Sequence, residues 1–168
     1  MRPIHAAACA TFAFFALSLP SLSRAGPAPA ATPAAAPSAA GVIRLQSANG
    51  FDDTVARLKA DVQAKGIRFF DAIDQSALGA SADLKIRHST LVLFGNPPLG
   101  VQFLQSNPYA GLDWPVRMLV VEDMDGSIWV AWTDFGFIAK RYAIGDKDAQ
   151  LKMASEVAAS IATAATTR

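Results

Sequence analysis

The sequence predicts an α+β fold. It reads as a two-layer sandwich with a mainly antiparallel sheet of about five strands, two main helices and a short helix after a Gly-Asn-Pro turn. Three observations carry this. Short segments alternate apolar and polar residues and are bounded by Gly, Asn and Asp. Two of them flank Asp123-Met124-Asp125-Gly126, a tight hairpin connection with glycine where a positive φ is wanted. Two longer segments carry apolar residues at helical spacing, one early and one at the C-terminal end. Strands grouped around a hairpin, with helices between and after, fit two packed layers.

Val42–Gln46 alternates and predicts a first strand, broken by Asn49-Gly50. From Phe51 to Lys65, Val55, Leu58 and Val62 fall on one helical face. Asp52 and Asp53 complement the dipole of its first turn, and Gly66 stops it. Ile67–Ile73 is a second strand, and Gln75–Ala82 a helical turn or two. Ile86–Phe94 is a third strand, with Ile86, His88, Thr90, Val92 and Phe94 on one face. From Leu91 both of its faces are apolar, as in the middle of a sheet. Pro97–Ser106 forms a short helix, and Trp114–Glu122 and Ser127–Thr133 are the hairpin strands. Asp134–Tyr142 is irregular or briefly helical. Asp146–Ala165 closes the chain as an amphipathic helix facing inward through Leu151, Ala154, Val157 or Ala158, and Ile161.

The N-terminal residues follow a different logic. Arg2, an apolar run from Ala6 to Leu19 ended by Pro20, and Ser23-Arg24-Ala25 with small residues at −3 and −1 predict a signal peptide over residues 1–25. Its apolar core is too short to span a bilayer, so no stable membrane insertion is expected after cleavage. Cleavage after Ala25 would place the protein in the periplasm or outside the cell. Cys9, the only cysteine, lies inside that core and would be lost with it. The remaining chain would have no disulfide and would depend on burial for stability. Residues 26–41, rich in Ala and Pro and uncharged, predict an extended tether. Residues 42–168 suit a single domain. Losing Arg2 and Arg24 leaves 13 Lys+Arg against 14 Asp+Glu, scattered without a basic stripe. Nucleic acid is therefore not an expected partner.

Leu91–Gly100, LVLFGNPPLG, is the stretch most open to a functional reading. Asn96 suits an N-cap and Pro97 a first helical position, so the run is complete as a strand-to-helix turn. An anion site at that helix start is weakened, because Pro97 and Pro98 delete two of its N–H groups. Elsewhere, His88 and Ser89 point to opposite faces of a strand and make no catalytic pair. One histidine without cysteine makes no zinc centre. Glu122-Asp123-x-Asp125-Gly126 resembles the start of a calcium loop, but position 12 is Asp134 rather than Glu, so it reads as a hairpin. No metal and no cofactor are expected. Trp129 and Trp132 lie on opposite faces of their strand, so at most one joins a given core.

Taken together, several segments resemble the bacterial family called domain of unknown function 302. The resemblance rests on Thr54-Val55-Ala56-Arg57-Leu58 with Gly66, on Arg87, and on Phe94-Gly95-Asn96-Pro97. It continues through Gly100, Gln105, Pro108, Leu112-Asp113-Trp114-Pro115, and Glu122-Asp123-x-Asp125-Gly126 followed by Trp129. It implies a small α+β domain, often dimeric, with no established activity. It also raises the standing of LVLFGNPPLG as a site. Members commonly carry His where this chain has Gln75 and Tyr142, Pro where it has His88, and Thr where it has Val101. Gln75 and Tyr142 hydrogen-bond but do not shuttle protons near neutral pH, which favours binding over catalysis.

The sequence thus predicts a secreted or periplasmic module that binds a small molecule and acts as a homodimer. Its pocket would lie between the sheet and the helix begun by Asn96-Pro97. Gln75, Arg87, Asn96, Gln105 and Asp113 would supply polar contacts, and Trp132 the aromatic wall. Two alternatives accompany it. One is a metal-free enzyme with Asp113 or Glu122 as general base and Arg87 stabilising negative charge. The other is a structural or partner-binding domain without a ligand.

Overall fold

The computed structural model describes Ser38 and residues 40–168. The expected signal peptide and most of the expected tether lie outside the described residues. The tether's last residue, Gly41, is buried at φ 72°, and the Phe137 ring occupies the space a Cβ would need.

Among the described residues there are five strands and five helices. β1 is Val42–Gln46, α1 Phe51–Ala64, β2 Arg68–Asp74, α2 Gln75–Ser81, β3 Ser89–Gly95 and α3 Pro97–Ser106. A 3₁₀ turn, Pro108–Asp113, leads to β4, Val116–Glu122, and β5, Ile128–Thr133. α4 is Phe135–Arg141 and α5 Asp148–Thr166. The strands form one sheet in the order β1-β5-β4-β3-β2, antiparallel throughout. This is the α+β architecture the sequence predicts.

One face of the sheet carries the core. Val92 and Phe94 of β3, Met118 and Val120 of β4, and Val130 and Trp132 of β5 are buried there. Against them α1 sets Leu58 and Val62, and α5 sets Leu151, Ala154, Ala158, Ile161 and Ala162. The alanines let α5 approach α1 and the sheet closely. On the other face, Leu91, Leu93, Leu119, Val121, Trp129 and Ala131 are half-buried and do not pack against that core.

Two elements differ from expectation, and in a third the structure takes one of the two alternatives the sequence left open. The third strand starts at Ser89 and not at Ile86, and Ile86, Arg87 and His88 are exposed. Pairing stops there because β2 ends at Asp74, opposite Thr90, and the chain turns into α2. Residues 135–141 form a true helix, capped by Asp134, whose Oδ2 accepts from Phe137 N–H at 2.9 Å. Trp114 and Pro115, joined by a cis peptide, precede the fourth strand and do not belong to it. The hairpin forms as the sequence indicates: Gly126 sits at φ 83°, and Asp125 Oδ1 accepts from Ser127 N–H. Two hydrogen bonds from Ser127 hold the Asp125 carboxyl below its ordinary pKa.

Candidate functional site

β3 runs through Leu91–Gly95 and turns at Asn96 into α3. Asn96 occupies the N-cap position, but its side chain makes no cap hydrogen bond. Its carbonyl instead accepts from Leu99 N–H at 3.0 Å and Gly100 N–H at 2.8 Å. Pro97 and Pro98 supply no N–H, so little remains for the amide to cap. The exposed Asn96 side chain therefore stays available at the rim of a cavity.

That cavity, about 40 Å³, lies under α3. Its walls are apolar: Phe94, Phe103, Val116, Phe135 and Val157, with the Trp114 indole across them. The space is roughly three times what one water needs. Two glycines shape it. A Cβ on Gly100 would fall 1.7 Å from Trp114 Nε1, and one on Gly95 would fall 3.3 Å from the same atom. The indole thus lies directly against bare backbone. Phe70, lifted out by a bulge in β2 between Phe69 and Asp71, contacts the Trp114 ring edge-on at 5.8 Å.

The expected site residues do not all converge here. Asn96 lines the cavity. Trp132 is buried in the core on β5 and does not line it, and Trp114 provides the aromatic wall instead. Gln105 is exposed on α3, outside the cavity lining. Gln75 lies beyond the other end of β3, where its Oε1 accepts from Ser89 Oγ–H at 2.7 Å. Nearby, Arg87 pairs with Glu122 at 3.3 Å. His88 packs on the Phe51 ring at 5.1 Å.

Asp113, next to Trp114, belongs to a separate cluster. Its side chain is 5% exposed. It accepts from Arg117, from Arg141 at 3.3 Å, and from the Tyr142 hydroxyl at 2.6 Å. Donating to Asp113 and being buried both raise the Tyr142 pKa above its ordinary value. Three donors on one carboxylate describe a structural hub, and Asp113 has little capacity left to take a proton from a substrate. Glu122 is likewise engaged by Arg87. Among the described residues, no group of three His, Cys, Asp or Glu side chains is placed to hold a metal ion. No described helix is long and apolar enough to cross a membrane.

Sequence reasoning missed Arg117 and Arg141 as partners of Asp113, and Trp114 as the cavity wall. For Trp114 a signal existed. A glycine inside a helix costs stability, and Gly100 marks a close approach by another group.

Comparison with known proteins agrees with this architecture. The family model described as "Domain of unknown function DUF302" matches residues 43–167. A crystal structure of an uncharacterized conserved DUF302 protein from Bacillus stearothermophilus superposes with a TM-score of 0.68 at 12% identity. That likeness covers 74% of this chain and 98% of the other, and it speaks to the fold alone. The chain is also 30% identical over 105 residues to a protein of Brucella suis named fluoride-specific ion channel FluC 1, and to its Brucella abortus counterpart. The match takes in 62% of this chain but only 41% and 39% of those proteins. This chain thus spans about two-fifths of the length of the curated relatives it matches.

Proposed function

The chain belongs to the DUF302 family, and on that footing we propose that it is a secreted or periplasmic small-molecule-binding module that works as a homodimer. The ligand's apolar part would sit under α3, and its single polar end would meet the Asn96 amide. The observation that carries this reading is the cavity itself: apolar walls, one exposed amide at the rim, and a tryptophan laid on two glycines. Such a site orients a small amphipathic molecule and offers it no acid or base. The engagement of Asp113 and Glu122 by arginines favours binding over catalysis for the same reason.

The test uses methanol and ethanol, each a small apolar body with one hydroxyl and of a size to match a space of about three waters, followed at the Trp114 indole N–H by NMR. A saturable shift that disappears in Val157→Trp supports the reading. The absence of any saturable shift, together with a ligand-free mass in native mass spectrometry, would overturn it. Export has its own test: N-terminal sequencing of protein recovered outside the cytoplasm should begin at Gly26.

A partner-binding role is the second reading, and the Brucella relatives favour it. In them the matched segment is part of longer chains named as channels. What carries over is that such a domain can work beside other polypeptide. A membrane protein co-purifying in fixed stoichiometry, with the cavity empty, would move the conclusion there.

A further inference from the structure

The half-buried sheet face is a regular grid, and its register is fixed. Across β1-β5-β4-β3-β2, one row reads Val42, Thr133, Arg117, Leu93 and Asp71, and the next reads Arg44, Ala131, Leu119, Leu91 and Ile73. A third row holds Gln46, Trp129, Val121 and Ser89. The centre is apolar, while α1 and α5 pack on the opposite side. α2 reaches only the Ser89 end, through Gln75 and Ser76.

We infer that this face docks a second copy of the chain, sheet against sheet, with the two-fold axis parallel to β4. The inference rests on the homodimer reading above and adds the surface and its register. A two-fold along β4 lays β5 of one copy over β3 of the other. In two rows a larger side chain then faces a smaller one, Leu91 against Ala131 and Leu93 against Thr133, while Ser89, buried against Gln75 of its own chain, takes no part in the contact. Alternating large and small across facing layers is how two sheets interdigitate. Leu119 meets its own mate at the centre.

Charge points to the same axis. The operation carries β1 over β2, so Arg44, which in its own chain lies over the Trp129 ring and 3.6 Å from Asp123, approaches Asp71 of the second copy, one row away. That is about 7 Å along the strand, within the reach of an arginine across sheets about 10 Å apart. A two-fold perpendicular to the strands would instead set Arg44 on Arg44, Ala131 on Ala131 and Leu91 on Leu91. Arg117 falls on the proposed axis, but its pair with Asp113 draws it toward the sheet end. Arg68, also on β2, has its guanidinium over the Phe70 ring. Strand spacing and rise give a face of roughly 500 Å² per copy, near the lower limit for a specific interface. The dimer should therefore dissociate on dilution.

Sedimentation of the purified full chain over a wide concentration range tests this. The wild type should show a monomer–dimer equilibrium. Leu119→Glu should weaken it at least tenfold with the circular dichroism spectrum retained. The exposed Arg44 and Asp71 allow a test that does not endanger folding. Arg44→Asp and Asp71→Arg should each weaken the dimer about tenfold, and the double variant should return to within about threefold of wild type. A wild type that stays monomeric at all concentrations overturns the homodimer reading and this inference together. A dimer indifferent to Leu119→Glu and to both charge reversals leaves the homodimer and overturns the face. A dimer broken by Leu119→Glu but not restored in the double variant overturns the register.

Discussion

Neighbouring residues of β3 and β4 point to opposite faces of the same sheet and are equally apolar, yet they meet different surroundings. Val92, Met118 and Val120 are fully buried beneath α1 and α5. Leu91, Leu93, Leu119 and Val121, each one step away along the chain, are only half-buried. The first set supports the fold of one chain, and the second is available to something outside it. Apolarity of a strand on both faces therefore does not mean that the chain's own helices cover both.

The largest effect that would break this comparison comes from a matched pair of truncations. Met118→Ala should cost about 2–5 kcal/mol, since it opens a cavity under two helices. Leu119→Ala, measured by urea unfolding at a dilution where the protein is monomeric, should cost under about 1 kcal/mol. Equal costs would mean that Leu119 is as deeply packed as its neighbour.

Next comes the end of the sheet, where Trp114 lies against Gly95 and Gly100. Gly100→Ala forces a methyl into the indole, and overpacking of that kind costs about 1–3 kcal/mol. Tryptophan emission should shift to the red as the ring moves toward solvent. Gly50→Ala is the control, because nothing lies within 4 Å of a Cβ there. A Gly100→Ala protein as stable as the Gly50→Ala protein would show that Trp114 yields freely.

How much of this the sequence revealed depends on the range of the interaction. The 123–126 hairpin was legible because Asp-Gly turn chemistry is local. So were α1 and α5, whose apolar spacing marks the face they bury. The start of β3 was not. Ile86-Arg87-His88 alternates just as a strand does, and what ends pairing is the turn of a different strand into α2. Trp132 and Trp114 were exchanged for a similar reason. Alternation told that Trp129 and Trp132 face apart, but it did not tell which face the helices would take. Asp113 was visible as a candidate, while two of its partners, Arg141 and Tyr142, lie 28 and 29 residues away.

Asp113 also connects the two faces. It accepts from Tyr142, which is buried with the core, and from Arg117, which stands on the open face. Asp113→Asn keeps the shape and removes the charge, so a loss of about 1–3 kcal/mol is expected for the monomer. Freed from its partner, Arg117 would face its own copy across the proposed two-fold, and the dimer should weaken as well. A monomer destabilised as described but a dimer of unchanged strength would sharpen the comparison, by showing that Arg117 lies outside the contact.

The smallest effect expected is confined to alkaline pH. Donating to Asp113 raises the Tyr142 pKa above its ordinary value, so folding favours the protonated phenol. The stabilisation it confers is complete below the unfolded value near 10 and is lost as pH rises through the higher folded value. Tyr142→Phe should therefore show a constant deficit against wild type up to about pH 9, and the gap should close above pH 10. Thermal unfolding of the two proteins in parallel from pH 7 to 11 measures it. A gap that persists unchanged to the top of that range would mean that the hydroxyl contributes nothing through Asp113. The tie between the two faces would then run through the arginines alone.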